Sequence, residues 1–215
     1  MLLASCASGV PDGSQPSLPT LTTTSPKTSK PPVTSVSPTS APNQPPAAGA
    51  PISDVIRWVE AGTPADPADF HSATRDGAVT SLGDEVAFVT AGTETNCMTS
   101  AGAFACLVKL TNPPPRPPDV ETAWKGNWVD FAGPSVDVGS PRGDPGPFGA
   151  GTGAELTAGR TLAFGDYRCR ADATGLFCVN YAHQSAVQLS AAGVEPFGCL
   201  QKAAPPPGVG EKFSC

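Results

Sequence analysis

The chain has 215 residues and a formal net charge of -6, with 26 Pro, 23 Gly, 7 Cys and a charged fraction of only 15%. A sequence pI near 4.8 lacks the basic footprint that nucleic-acid binding requires. No run of 18 apolar residues exists to form a membrane-spanning helix, and two histidines, His71 and His183, leave little material for imidazole metal sites or acid–base catalysis.

The chain begins Met1-Leu2-Leu3-Ala4-Ser5-Cys6. Leu3-Ala4-Ser5-Cys6 resembles the lipobox of bacterial lipoproteins, in which an apolar residue and two small residues precede a Cys that is acylated and becomes the new N-terminus. Residues 1–6 therefore read as the remnant of a lipoprotein signal peptide, with Cys6 the lipidation site. Only five residues precede Cys6, too few for a charged segment and an apolar stretch of about 7–15 residues, so this reading places the true start upstream. Residues 7–50 follow as a 44-residue tract with 10 Pro, 15 Ser or Thr and no aromatic residue. Such a segment buries too little apolar surface to offset its chain entropy, and it reads as a disordered, partly polyproline-like tether. All 14 aromatic residues lie after it, so residues 51–215 read as one globular domain of ordinary size.

Along that domain, Ile52, Val55, Ile56 and Val59 keep helical spacing. They predict a short helix over 53–60, with Ser53 as N-cap, Gly62 just past its end and Trp58 on another side. From there the chain reads as β. Asp76-Gly77 is a hairpin turn signal, and Val86, Phe88 and Thr90 alternate as in a strand over 85–90. Strands are also predicted over 96–99, 103–110, 161–164, 167–170, 176–181 and 186–190, with another around Trp124, Trp128, Val129 and Phe131. Five prolines over 112–118 must leave the sheet. The Gly- and Pro-rich stretch 133–153 reads as a long loop.

Setting Cys6 aside leaves Cys97, Cys106, Cys169, Cys178, Cys199 and Cys215. Six cysteines in an exported domain read as disulfides, with 15 connectivities open. Spacing favours one of them. Cys97 and Cys106 have eight residues between them, and so do Cys169 and Cys178, each interval with a central Gly and a Phe just before the second Cys. A two-residue turn at Ala101-Gly102 sets Cys97 opposite Cys106, whereas a three-residue loop would shift the register by one. Asp172-Ala173-Thr174-Gly175 carries type I turn chemistry for the second hairpin, and Cys199–Cys215 remains by elimination. Zinc needs cysteines two to four residues apart and finds none here. The fold expected is mainly β: a disulfide-stapled antiparallel sandwich or partly open barrel with a short N-terminal helix. Seven to ten strands are expected, in two related meanders.

Phe164-Gly165-Asp166-Tyr167-Arg168-Cys169, then Thr174-Gly175-Leu176-Phe177-Cys178-Val179-Asn180, resembles a hairpin recurrent in actinobacterial exported lipoproteins. Asn96-Cys97 through Phe104-Ala105-Cys106 is similar to their first Cys hairpin. Pro113–Pro118 and Asp144-Pro145-Gly146-Pro147-Phe148 extend the likeness over nearly all of the domain. The resemblance implies a location, the outer face of the cell membrane in the cell envelope, and an architecture. It brings no established activity.

No Gly-x-Ser-x-Gly elbow is present, and neither His71 beside Ser72 nor His183 near Ser185 places a nucleophile against a base. The carboxylate pairs Asp84/Glu85, Asp119/Glu121 and Asp130/Asp137 need a spatial separation to mean anything. The loop from Asp137 to Asp144 lacks the spacing of a calcium-binding EF-hand. No cofactor or metal is expected. Trp124, Trp128 and Phe131 are the candidate binding residues: they either fill the core or line an apolar cleft near the proline-rich loop. The sequence thus points to a lipid-anchored, non-catalytic binding or structural module. Its partners would be the membrane through Cys6 and an envelope glycan, lipid or protein. An envelope hydrolase of glycan or ester substrates is the alternative.

Overall fold

The computed structural model of the protein describes residues 44–215. Cys6, the lipobox and the tract as far as residue 43 lie outside the described residues. Gln44–Ala50 adjoins the globular domain, with Ala50 packed on the cluster around Trp58.

Among the described residues, one helix, α1 (Ile52–Glu60), and sixteen strands make up the fold, with two 3-10 turns, Pro67–Phe70 and Gly146–Ala150. The first meander is β4 (Ala87–Thr90), β5 (Thr95–Ser100), β6 (Ala103–Val108), β7 (Lys125–Phe131) and β8 (Ser135–Ser140). The second is β10 (Arg160–Phe164), β11 (Tyr167–Asp172), β12 (Gly175–Asn180), β13 (Ser185–Ser190) and β14 (Gly193–Gly198). Each meander forms the body of one antiparallel sheet, and the two sheets pack face to face without closing into a barrel. Short strands exchange between them. β1 (Thr63–Pro64), ahead of the first meander, pairs in parallel with β10 of the second. β9 (Ala154–Glu155), ahead of the second, pairs in parallel with β4 of the first. β15 (Gln201–Ala203) and β16 (Glu211–Ser214) extend the first sheet beyond β8. β2 (Ser72–Arg75) and β3 (Ala78–Ser81) form a separate hairpin.

Local chemistry sets the registers. Ala101 and Gly102 have φ of 50° and 78°, the conformation that lets a two-residue turn match the strand twist. Ser100 then faces Ala103, and Cys97 faces Cys106. In the second hairpin the Asp172 carboxylate accepts from the Thr174 N–H at 2.9 Å, and Asp172 faces Gly175. Counting outward from either turn puts each Cys pair at a non-hydrogen-bonded position, where strands approach closest. The Cα atoms are 4.0 Å apart in both Cys97–Cys106 and Cys169–Cys178. All four cysteines enter the same inter-sheet core, with Phe88, Phe104, Phe131, Leu162, Leu176 and Leu189.

Both outer faces are covered. On the second sheet α1 buries Val55, Trp58 and Val59 against Phe177, Val179, Ala186 and Phe197. Trp58 lies 4.7 Å from Phe177, and the Arg170 guanidinium covers it at 3.9 Å. On the first sheet Ala73 of β2 and Phe148 of the second 3-10 turn cover Ala87, Met98, Ala105 and Trp128.

Several expectations are corrected. Sixteen strands exceed the seven to ten expected, because very short strands such as β1, β9 and β15 carry no periodic signal of their own, and the six-residue β8 and β14 are not among the expected strands either. The stretch 133–153 is not one long loop: it holds β8, where Val136 and Val138 alternate into the core. Pro51, not Ser53, precedes the helix, and its carbonyl accepts the first helical bond from Asp54 at 2.9 Å. Trp58 belongs to the same buried arc of α1 as Val55 and Val59. Gly62 stands just past the C-cap Ala61, as expected, its N–H donating to the Val59 carbonyl at 3.2 Å, and it also lets the chain pass close to β10, where a Cβ would lie 2.5 Å from Thr161 Cγ2.

Truncation of Trp58 tests the helix-to-sheet layer. Because the ring is 1% exposed, Trp58→Ala is expected to lower unfolding free energy by about 3–5 kcal/mol, read from the midpoint and slope of denaturant unfolding. A loss under about 1 kcal/mol would mean that the helix contributes little.

Candidate functional site

The structure separates the three aromatic residues singled out in the sequence. Trp128 is buried on the outer face of the first sheet, where Phe148 meets it edge-on at 4.9 Å and Arg142 covers it at 4.3 Å. Phe131 is buried on the opposite, inter-sheet face, 5.3 Å from Tyr167. Neither ring has a free face, so these residues do not share a cleft. Alternation along β7 explains the split, because residues an odd number apart point to opposite faces.

Trp124 has a different task. Its indole lies over three glycines, the nearby Gly126 and the chain-distant Gly139 and Gly210. A Cβ at Gly139 would fall 2.3 Å from the ring, and the φ of 83° there also favours glycine. The Trp124 Nε1–H donates to the Pro114 carbonyl at 3.0 Å. The ring thereby wedges the proline-rich loop against β8 and the segment leading into β16. The Thr111 N–H donates to the Ala191 carbonyl at 2.8 Å and fixes the same loop to the β13–β14 turn.

An open groove of about 450 Å³ results, between the edge strands β14 and β15 at one side of the sandwich. Pro113, Pro114 and Pro115 make one wall, with Leu110 at its base. Val138 and Val194 come from the two sheets, and Ala203 and Pro205 close the far side. Charge is confined to Lys202, Glu211 and Lys212. Lys202 Nζ pairs with Glu211 at 2.8 Å, and Lys212 Nζ pairs with Asp137 at 2.6 Å. The size matches small-molecule sites, and the lining is aliphatic and proline-rich rather than aromatic. The proline loop was recognised in the sequence. β14, β15 and β16 were missed, although Phe213 among charged residues in Glu211-Lys212-Phe213-Ser214 hints at the last of them.

Both histidines, Ser185 and the Asp130/Asp137 pair hold structural contacts. His71 Nδ1–H donates to the Glu85 carbonyl at 2.8 Å, and His183 Nδ1–H to the Asn180 side-chain carbonyl at 3.0 Å. The Ser185 hydroxyl is buried and donates to the Gly133 carbonyl at 2.6 Å, not to His183. Asp130 and Asp137 lie directly opposite each other on β7 and β8. Asp130 accepts from Trp128 Nε1 at 2.8 Å and faces Arg142 at 3.7 Å, while Asp137 is held by Lys212. Among the described residues no three His, Cys, Asp or Glu side chains are grouped to hold a metal. Compared with known proteins, the chain matches no protein-family profile, no curated protein and no solved structure.

Beside α1 the Tyr181 hydroxyl donates to Glu60 at 3.0 Å. Burial, reinforced by the Glu60 carboxylate, pushes its pKa up to about 12. Tyr167 is raised as well, chiefly by burial. A phenol held neutral in the fold but free to ionise once unfolded contributes stability that is complete below about pH 10 and lost as pH rises towards about 12. Titration of tyrosinate absorbance should show neither tyrosine ionising at its ordinary value in the folded chain. Glu60→Gln should bring the Tyr181 midpoint down without reaching that value, since burial remains. A wild-type midpoint at the ordinary value would refute the assignment.

The three disulfides differ in access. Cys97, Cys106, Cys169 and Cys178 are buried, whereas Cys199 and Cys215 are exposed. Reduction requires a thiolate to reach a sulfur. Under native conditions a dithiol is expected to open Cys199–Cys215 first, so that alkylation and peptide mapping find label there and not on the other four. The fold should survive, with a stability loss of about 3 kcal/mol for a loop of this length. Equal labelling of all six cysteines would contradict the burial order.

Proposed function

We propose that this chain is an extracytoplasmic lipoprotein, held on the outer face of the cell membrane through Cys6. Its domain acts there as a non-catalytic binding module. The observation that carries the proposal is the full pairing of the six later cysteines, two pairs of them in the inter-sheet core. Disulfides of this kind persist in oxidising compartments. The tract over 7–50 supports it too, as a spacer between an anchor and a domain. Stable anchoring needs more than one acyl chain, which a diacylated Cys supplies. Within the domain, the groove between β14 and β15 is the site the geometry favours. Its aliphatic and proline walls suit an apolar chain, such as the acyl portion of an envelope lipid, better than a glycan. A glycan is better served by exposed aromatic faces, and Trp58 and Trp128 are covered while Trp124 lies against glycines.

The test is non-reducing peptide mapping by mass spectrometry of the protein purified from native membranes. Diacylglyceryl mass on Cys6, with Cys97–Cys106, Cys169–Cys178 and Cys199–Cys215 linked, is the expected result. An unmodified Cys6 with free thiols elsewhere would remove both anchor and location. For the groove, a fluorescent fatty acid is the probe. Ala203→Trp, which fills the far wall, should weaken its binding by at least about tenfold, and unchanged uptake would remove the groove from the proposal.

A further inference from the structure

An unpaired sheet edge presents free N–H and C=O groups to any passing strand, and natural proteins protect such edges. Three sheets give six edges, and five are protected. β1 and β9 are two residues long, and β1 ends in Pro64. β14 carries Pro196. β15 has three residues, holds Lys202 and is soon followed by Pro205. β2 is bridged, the Thr74 N–H donating to the Thr152 carbonyl at 2.8 Å and the Thr152 N–H donating back at 3.0 Å. The sixth edge is β3, Ala78-Val79-Thr80-Ser81, with no charge and no proline. The strand is exposed along its whole length, and Val79 is 70% exposed.

The hairpin register shows which backbone groups face out. Thr74 lies opposite Val79. Since Thr74 turns its N–H and C=O away from β3 towards Thr152, this pair is a non-hydrogen-bonded one. Val79 therefore turns its own N–H and C=O away from β2, and so does Ser81, two positions on. Leu82, whose N–H donates to the His71 carbonyl, keeps the same alternation.

We propose that this edge is a self-association surface, on which β3 of one copy pairs antiparallel with β3 of a second. A two-fold axis through Thr80 sets Val79 opposite Ser81 of the second copy, and Ser81 opposite its Val79. Four backbone hydrogen bonds form, and the two hairpins become one four-stranded sheet. Two features favour a second copy over a foreign strand. The strand is complementary to itself and uncharged. Added strands are selected by pockets for their alternate side chains, and none of the described cavities is lined by residues 78–81. A symmetric pairing needs no such pocket. So short a strand buries little area, so association is weak and follows concentration.

The test uses the full chain, followed by NMR diffusion and amide shifts from about 20 μM to about 2 mM. Slower diffusion with concentration, and shifts centred on Val79–Ser81, are expected. Val79→Lys, a charge at an exposed edge position, should weaken association at least about tenfold. The register is read by cross-linking. Thr80→Cys faces its own copy at a close, non-hydrogen-bonded position and should oxidise to a dimer, whereas Val79→Cys should do so far more slowly. A chain that stays monomeric throughout overturns the proposal, as does association unaffected by Val79→Lys or equal cross-linking by the two cysteine variants. A monomer that instead binds an added strand-forming peptide at β3 would assign the edge to a foreign strand and equally overturn it.

Discussion

Two cysteine pairs directed into one inter-sheet layer set the terms for the rest of the molecule. Each pair lies at the close, non-hydrogen-bonded position of its hairpin, and both join the same cluster with Phe88, Phe104 and Leu162. A sulfur bridge cannot face water on one side of its sheet and still belong to this core, so the facing of every neighbouring residue on β5, β6, β11 and β12 follows from it. A one-residue slip in either hairpin would separate the cysteines and turn the whole strand inside out. The turn chemistry at Ala101-Gly102 and Asp172–Gly175 and the covalent bond therefore specify one register twice over. That redundancy suits hairpins whose outer faces also carry large apolar residues, Met98 on one sheet and Phe177 on the other, which would otherwise tolerate the slipped state.

Apolar outer faces in turn demand covers, and the covers differ. One sheet receives a helix whose Trp58 is capped by the Arg170 guanidinium. The other receives a hairpin and a 3-10 turn, with Trp128 between Phe148 and Arg142. The tryptophan in each of these layers, Trp58 of the covering helix and Trp128 of the covered strand β7, is thus paired with an arginine, which allows a large ring to be buried near the surface while the cation keeps its contact with water. This use of tryptophan buries two of the three rings and leaves Trp124 as a wedge beneath the proline loop.

Hairpins were legible in the sequence because turn residues and equal cysteine spacing are local signals. The helix was legible because Val55 and Val59 repeat at helical spacing, although Trp58 was placed on a separate side rather than in the same arc. β8 was lost among glycines and prolines, where only Val136 and Val138 mark it. β1 and β9 could not be read at all: two residues paired in parallel with a distant strand owe their conformation to that strand. The groove was hidden for the same reason. Its walls come from the proline loop, β8, β14 and the C-terminal hairpin. Gly139 and Gly210, which let Trp124 approach, are brought to it only by folding.

The reciprocal exchange of β1 and β9 accounts for where the molecule is closed and where it is open. Each short strand precedes one meander and completes the edge of the other, so the edges at β4 and β10 are both covered by the same device. No such strand remains for the other ends of the two sheets, at β14 and beyond β8. There the C-terminal hairpin extends one sheet only, and Pro196 guards the other edge. The two edges are left with a gap between them that the proline loop roofs but does not fill, and that gap is the groove. A cavity at this position therefore follows from the topology. The apolar part of its lining follows from the residues that have to face it, because Val138 and Val194 belong to strands of the two sheets and prolines are what a loop wedged by Trp124 presents.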